Sequence, residues 1–269
     1  MRTVNEAMTF YKNILNEFPT FTLGPAENNF FQLQDAQEKS LIKLENDFNV
    51  TAIAIGKSDF EKTFSLMAYV HQELFFPGDN ISPAENNTYE IMKVRKTGAL
   101  FCSFHATVLA EMLLSIGIKA IKTSCLPKDF DGDMHVAVLA YMKEMKKWVF
   151  FDPTFNTCFF DEAGNPLSMM EIREQYRNQK EVCFKSIEID KQWTLVMNGI
   201  VCETYNEWYK IYMAKNCFRF MFPQQSAFND SDRDEEYIFT NPPGYKAKNE
   251  YDTIAAASHV KYMDHFCFV

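Results

Sequence analysis

Gly98-Ala99-Leu100-Phe101-Cys102-Ser103-Phe104-His105 leads without a break into Ala106 to Ile116, a run of Ala, Leu and Met. Val108, Leu109, Met112 and Leu113 in that run share one face at helical spacing. Gly117 follows where a left-handed C-terminal cap is expected. A cysteine therefore sits at or near the first turn of a helix. The unpaired backbone N–H groups and the dipole at that end favour an anion, which lowers a thiol's pKa and makes it a better nucleophile. The same N–H groups can hold the oxyanion that forms on an attacked carbonyl.

Downstream, Ile118 to Ser124 reads as a strand and Pro127 to Gly132 as an exposed turn. Met134 to Met142 and Trp148 to Phe151 are apolar and β-prone, and the charged Lys143-Glu144-Met145-Lys146-Lys147 joins them. That pattern predicts an antiparallel hairpin, although its turn lacks the Asn-Gly chemistry that sets a register. His135 begins the first strand and Asp152 ends the second; a register centred between Lys143 and Glu144 would set them directly opposite. A cysteine nucleophile needs a base to take its proton and return it to the leaving group, which is histidine's usual work. A carboxylate on the far side of the imidazole selects the productive tautomer. Cys102, His135 and Asp152 are the candidate nucleophile, general base and acid, and orienting carboxylate.

The rest of the chain supplies a frame for these three. Val4, Ala7, Met8, Tyr11, Ile14 and Leu15 predict a helix in a helical first fifty residues. Ser58-Asp59-Phe60-Glu61 is a capping box, opening a helix with Phe60, Phe64, Met67, Ala68, His71, Leu74 and Phe75 on its apolar stripe. Residues 78–98 are polar and turn-rich and read as a loop. Ser168-Met169-Met170-Glu171 is a second capping box. Tyr205, Trp208, Tyr209, Tyr212 and Met213 share a helical face and read as core, with substrate-channel lining as the second option. Phe218 to Phe222, an acidic run from Asp230 to Glu236, and Tyr237 to Phe239 fit a sheet extension or a small lid.

Other chemistry is weaker. Cys125, Cys158, Cys183, Cys202, Cys217 and Cys267 read as small buried hydrophobes. His71 reads as core and His105 as packing or rim. Asp129-Phe130-Asp131-Gly132-Asp133 starts like a calcium loop. It puts Met134 and Ala140 where such a loop needs glycine and glutamate, so it reads as a solvated turn. There is no Cys-x-x-Cys, no His-Glu-x-x-His and no phosphate-binding glycine loop, so neither a metal nor a cofactor is expected.

Composition bounds the class. The 269 residues are 47% hydrophobic and 15% aromatic with only 9 Gly and 10 Pro, which suits a packed core and excludes a low-complexity polymer. A formal charge of −9 argues against a general nucleic-acid binder. No apolar run reaches the length of a membrane span, the start is polar and acidic, and seven cysteines are too few and too odd in number for a disulfide scaffold. The expectation is a cytoplasmic protein with reduced thiols and no membrane partner.

Three stretches also carry a family likeness: Cys102 with Phe104-His105-Ala106 and Leu109 to Gly117-Ile118; His135-Val136-x-Val138; and Trp148-x-x-x-Asp152-Pro153-Thr154. Together they resemble the transglutaminase-like superfamily, over roughly residues 59–175, with Asp161 to Ser168 similar to bacterial members. The chain departs from the pattern at Ala120-Ile121-Lys122, where many members carry an arginine. The resemblance implies a papain-like α+β fold. Helices would pack on an antiparallel sheet, with Cys102 at the N-terminus of the central helix, in a single domain over 1–269 whose aromatic extension covers about 200–269. It implies acyl transfer through a thioester on Cys102, and a peptide, amide or acyl-thioester substrate, the acyl group in some homologues arriving on a carrier protein. Transfer to an amine, as in amide synthases of natural-product assembly, and hydrolysis by a peptidase or amidase both belong to this chemistry. So does an inactive binding module on the same fold, as a different class. One oxyanion donor is expected at the Cys102 N–H, with Asn86 and Asn87 as candidates for a second.

Overall fold

The computed structural model describes residues 3–19, 22–24, 32–75, 78–129, 133–178, 180, 183–185, 195–197, 200–223, 225–226, 228, 237–246, 261–262 and 266–268. In chain order the first half holds α1 (Val4–Leu15), β1 (Thr22–Gly24), β2 (Gln32–Leu33), α2 (Lys39–Phe48) and the single turn α3 (Val50–Ile53). Then come α4 (Asp59–Leu74), α5 (Thr88–Val94), α6 (Cys102–Ser115), β3 (Ala120–Leu126), β4 (His135–Met142), β5 (Lys147–Asp152) and β6 (Thr157–Phe160). The remainder is α7 (Met169–Arg177), β7 (Cys183–Lys185), β8 (Leu195–Met197), β9 (Ile200–Cys202), α8 (Tyr205–Asn216), β10 (Arg219–Pro223), β11 (Gln225–Ser226), β12 (Tyr237–Thr240), β13 (Lys261–Tyr262) and β14 (Phe266–Phe268).

Among the described residues the main sheet has eight strands in the order β13-β12-β10-β3-β4-β5-β6-β7. It is antiparallel except for the β12–β13 pair. Helices cover both faces. Val136, Val138, Ala140, Val149 and Phe151 belong to one core with α4, α5 and α6, while Ala137, Leu139, Trp148 and Phe150 belong to the other with α1, α7 and α8. A strand covered on both sides has no reason to alternate polar and apolar residues, which is why β4 reads His-Val-Ala-Val-Leu-Ala-Tyr-Met. α6 is buried from His105 to Ser115. Its lack of an amphipathic pattern has the same cause, since a helix apolar all round belongs inside.

Local signals place the other elements. The capping boxes at Ser58 and Ser168 form as their sequences predict and start α4 and α7. Gly117 has φ +78°, the left-handed conformation that ends α6. The segment 78–98 is not all loop, because Asn87 caps α5 by accepting the Glu90 N–H. The buried Glu111 of α6 binds the Thr88 N–H at 2.8 Å and the Thr88 hydroxyl at 2.6 Å. A seven-residue helix shows too little periodicity to be seen in a polar stretch; its partner lies on another element. α6 begins at Cys102, which puts the cysteine in the first turn as the sequence predicts. The buried face of α4 is centred on Leu66, Met67, Val70 and Leu74, and Phe75 is 42% exposed. The first fifty residues are not wholly helical, since β1 and β2 separate α1 from α2.

Beyond α8, β10 pairs with β3, and β12 and β13 follow it outward, so the aromatic C-terminal region extends the sheet. The acidic run from Asp230 to Glu236 lies outside the described residues, as do 130–132 in the expected turn. No described helix is long and apolar enough to cross a membrane.

Close backbone contact fixes the segment ahead of α6. Ala99 N–H donates to the Asp79 carbonyl at 2.9 Å, and Ile81 N–H donates to the Ala99 carbonyl at 2.9 Å. A Cβ on Gly98 would lie 2.5 Å from Cγ2 of Ile81 and 2.6 Å from the Asp79 carbonyl oxygen, whereas one on Gly117 would meet nothing within 4 Å. Gly117→Ala therefore pays only for its left-handed backbone, about 1–2 kcal/mol. Gly98→Ala must break a backbone contact and is expected to cost more. Urea unfolding of the two variants checks the order.

Candidate active site

Cys102 is the first residue of α6, capped by Phe101, whose φ of −67° and ψ of 157° turn the chain into the helix. Phe101 has no side-chain cap to offer and is 48% exposed. The first N–H groups of the helix have no intrahelical acceptor. The thiol lies beside the start of β4, 3.4 Å from the Val136 N–H and near enough to the His135 side chain to interact with it.

His135 and Asp152 are brought together, but not by the register the sequence suggested. β4 and β5 pair Val138 with Phe151 and Met142 with Lys147, so the hairpin is centred one residue later than the midpoint of Lys143 and Glu144. Continuing that register sets Asp152 opposite Ala137, two residues from His135. Diagonal positions two apart share a face and remain within reach of long side chains. Nε2 of His135 is 2.6 Å from Oδ2 of Asp152, with 1% and 0% of the two side chains exposed. That bond occupies Nε2 and leaves Nδ1 as the ring nitrogen for the thiol. His135 and Asp152 lie on the α8 side of the sheet, while Cys102 comes over the strand end from the α6 side.

Asp152 is held by more than the imidazole. Oδ1 accepts the N–H groups of Thr154 at 3.0 Å and Phe155 at 3.3 Å, and Oδ2 also accepts the Tyr209 hydroxyl at 2.6 Å. Two further histidines grip the same turn from behind. Nδ1 of His71 is 3.0 Å from the Thr154 carbonyl, and His105 hydrogen-bonds the Pro153 carbonyl. His105 is only 2% exposed, so it belongs to the interior and not to a rim. On the outer side, the rings of Phe155 and Tyr212 each stand 5.4 Å from His135, and Trp208 stacks on Tyr212 at 5.0 Å.

The electrostatics follow from this packing. Burial pushes the Cys102 thiol up, but the hydrogen bond and charge of His135, with the Val136 N–H, outweigh it and hold the thiol below its ordinary value. Burial pushes His135 down, and Asp152, by charge and by hydrogen bond, overrides it and raises the imidazole well above its ordinary value. Burial and the proximity of His71 depress His105 to about 4, against the pull of Asp152 and the Pro153 carbonyl. His105 is therefore neutral where His135 is protonated.

The remaining expectations are mixed. Cys125, Cys158, Cys202 and Cys217 are buried, but Cys183 is exposed on β7, at the end of the sheet's strand order; the side chain of Cys267 lies outside the described residues. Asn87 is spent on capping α5 and on Glu85, and Oδ1 of Asn86 accepts from Thr107. Asp133 pairs with Lys215. Among the described residues no His, Cys, Asp and Glu side chains gather as a metal site. Sequence reasoning missed Tyr209, which it took as core, and the grip of His71 and His105. The spacing of Tyr205, Tyr209 and Tyr212 announced a buried helical face without revealing that one hydroxyl ends on a carboxylate.

No family model matches the sequence, and no curated protein matches it significantly. Among solved structures it is similar to a proposed cysteine protease from Cytophaga hutchinsonii, at 17% identity over 60% of this chain and 56% of that one, with a TM-score of 0.32. At that score too little backbone superposes for the likeness to bear on the fold or the site.

The signs of these shifts set a pH window. Thiolate exists above a lowered thiol value and imidazolium below a raised imidazole value, so the two shifts widen the pH range in which both groups are charged. Alkylation of Cys102 by iodoacetamide should stay fast at pH values where an ordinary thiol is protonated, and His135→Ala should move the acid limb upward; peptide mass spectrometry reads both. His105 has the opposite sign. Unfolding lets it take up a proton, so it costs stability as pH falls from the ordinary 6.5 towards about 4. His105→Gln should flatten that part of the stability–pH curve measured by urea unfolding.

Proposed function

We propose that the protein is a cysteine-nucleophile acyl-transfer enzyme of the papain-like, transglutaminase-like kind, with Cys102, His135 and Asp152 as its catalytic residues. The observation that carries the reading is the chain of contacts from the Cys102 thiol to His135 and from Nε2 of His135 to Asp152 at 2.6 Å, set at a helix N-terminus.

The steps follow from the charges. The Cys102 thiolate attacks the carbonyl carbon of an amide or thioester, and the oxyanion meets the free N–H groups at the start of α6, that of Cys102 foremost. As the tetrahedral intermediate collapses, the C–N or C–S bond breaks and His135 gives its proton to the departing amine or thiol. The acyl group is then held as a thioester on Cys102. In the second half-reaction His135, now neutral, takes a proton from water or an amine as it attacks the thioester; collapse expels the Cys102 thiolate and leaves His135 protonated again. Asp152 holds the ring orientation and balances the imidazolium charge without taking the proton.

The acceptor decides between hydrolysis and amide formation. The aromatic side chains of Phe155 and Tyr212 beside His135, with Trp208 stacked on Tyr212, favour an amine, because an apolar surround disfavours loose water while a bound amine reacts at high effective molarity. Peptides, simple amides and carrier-protein thioesters are the donor classes this site suits.

Intact-mass spectrometry after incubation with peptides, amides and acyl thioesters tests the reading. An acyl adduct that maps to Cys102, is absent in Cys102→Ala and is discharged by water or by an added amine is the expected result. Turnover or labelling that persists in a folded Cys102→Ala protein would refute it.

A further inference from the structure

The Tyr209 hydroxyl shares Oδ2 of Asp152 with the imidazole, each at 2.6 Å. Its ring is buried and stacks on Phe159 at 5.7 Å and on Tyr205 at 5.8 Å, so the hydroxyl is carried to the carboxylate by a wall of aromatic side chains on α8 and β6. Burial and the nearby Asp152 charge hold its pKa well above the ordinary phenol range, so it acts as a donor throughout the working pH range.

A buried carboxylate beside a buried imidazole has two ways to keep one proton. The imidazolium–carboxylate pair is favoured when the anion's lone pairs are filled by donors, and the neutral pair is favoured when they are not. Here Oδ1 takes two backbone N–H groups, and Oδ2 takes Tyr209 besides the imidazole. The backbone pair fixes where the carboxylate sits. Tyr209 fills the lone pair that would otherwise face the dry interior.

We infer that Tyr209 is a positioning residue that keeps the shared proton on His135 rather than on Asp152, and so maintains the cationic partner of the Cys102 thiolate. This rests on the reading of Cys102 and His135 as nucleophile and base. Tyr209 touches neither sulfur nor substrate; it acts through Asp152. Without its hydroxyl the pair drifts to the neutral form, the thiolate loses its counter-charge, and reactivity near neutral pH falls.

The protein and its Tyr209→Phe variant are alkylated with iodoacetamide from about pH 5 to about pH 10, the range over which thiol ionisation controls reactivity. Labelling at Cys102 is read by peptide mass spectrometry. Loss of one hydrogen bond to a charged group should slow alkylation by about tenfold or more near pH 6. The acid limb should move upward, with the wild-type rate regained at alkaline pH. Tyr205→Phe, one turn earlier in the same stack, should follow the wild type. Coincident profiles for wild type and Tyr209→Phe would overturn the inference and leave Tyr209 a packing residue. 3-Fluorotyrosine at position 209 keeps and strengthens the donor; it should leave the rate near pH 6 unreduced, and a fall in that rate would also overturn the inference. Failure of the underlying reading looks different. The wild-type protein would then show an ordinary thiol profile, unchanged by His135→Ala, before any Tyr209 variant is considered.

Discussion

A carboxylate with none of its side chain exposed must find inside the protein the hydrogen bonds that water would have given it. Asp152 finds them in the N–H groups of Thr154 and Phe155, the hydroxyl of Tyr209 and the imidazole of His135. Leaving such an anion unpaired would cost several kcal/mol. The surrounding elements are arranged around that constraint: the turn after β5 folds back on its own aspartate, and α8 brings a tyrosine from the helical layer that covers that face.

The site lies where both helical layers reach the end of the sheet. α6 delivers the thiol over the end of β4, β4 and β5 deliver the histidine and aspartate on the other face, and α8 closes that face with Tyr209, Tyr212 and Trp208. His71 of α4 and His105 of α6 tie the same turn back to the first layer. His105 also divides the local electrostatics. It stays neutral because nothing anionic is bonded to it, while His135, bonded to a carboxylate, stays charged. Two buried imidazoles in one neighbourhood thus take opposite protonation states from their different partners.

Much of this was legible in the chain because it is local. The capping boxes at Ser58 and Ser168, the left-handed Gly117, and the β-prone runs on either side of Lys143 to Lys147 each contain their own cause, and each forms close to where it was expected. Cys102, His135 and Asp152 could be named together because a helix start and two hairpin strands are short-range features. What escaped depends on partners far along the chain. The hairpin centre lies one residue away from the expected one, which shifts the pairing by two, because its turn carries no sequence signature; an even shift keeps His135 and Asp152 on a shared face. α5 needed Glu111, and the role of Tyr209 needed Asp152, 57 residues away. A hydroxyl on a buried helical face looks the same in sequence whether it meets a carboxylate or a backbone carbonyl.

The proposed mechanism requires Cys102 and His135 to form an ion pair at rest. The most direct measurement is the ¹⁵N spectrum of ring-labelled histidine, with the His135 signals assigned by substitution. Both ring nitrogens of His135 should carry protons at neutral and mildly alkaline pH, and one of these protons should be lost at lower pH in Cys102→Ala. A His135 that gives the spectrum of a neutral imidazole at neutral pH, indifferent to removal of the thiol, would contradict it.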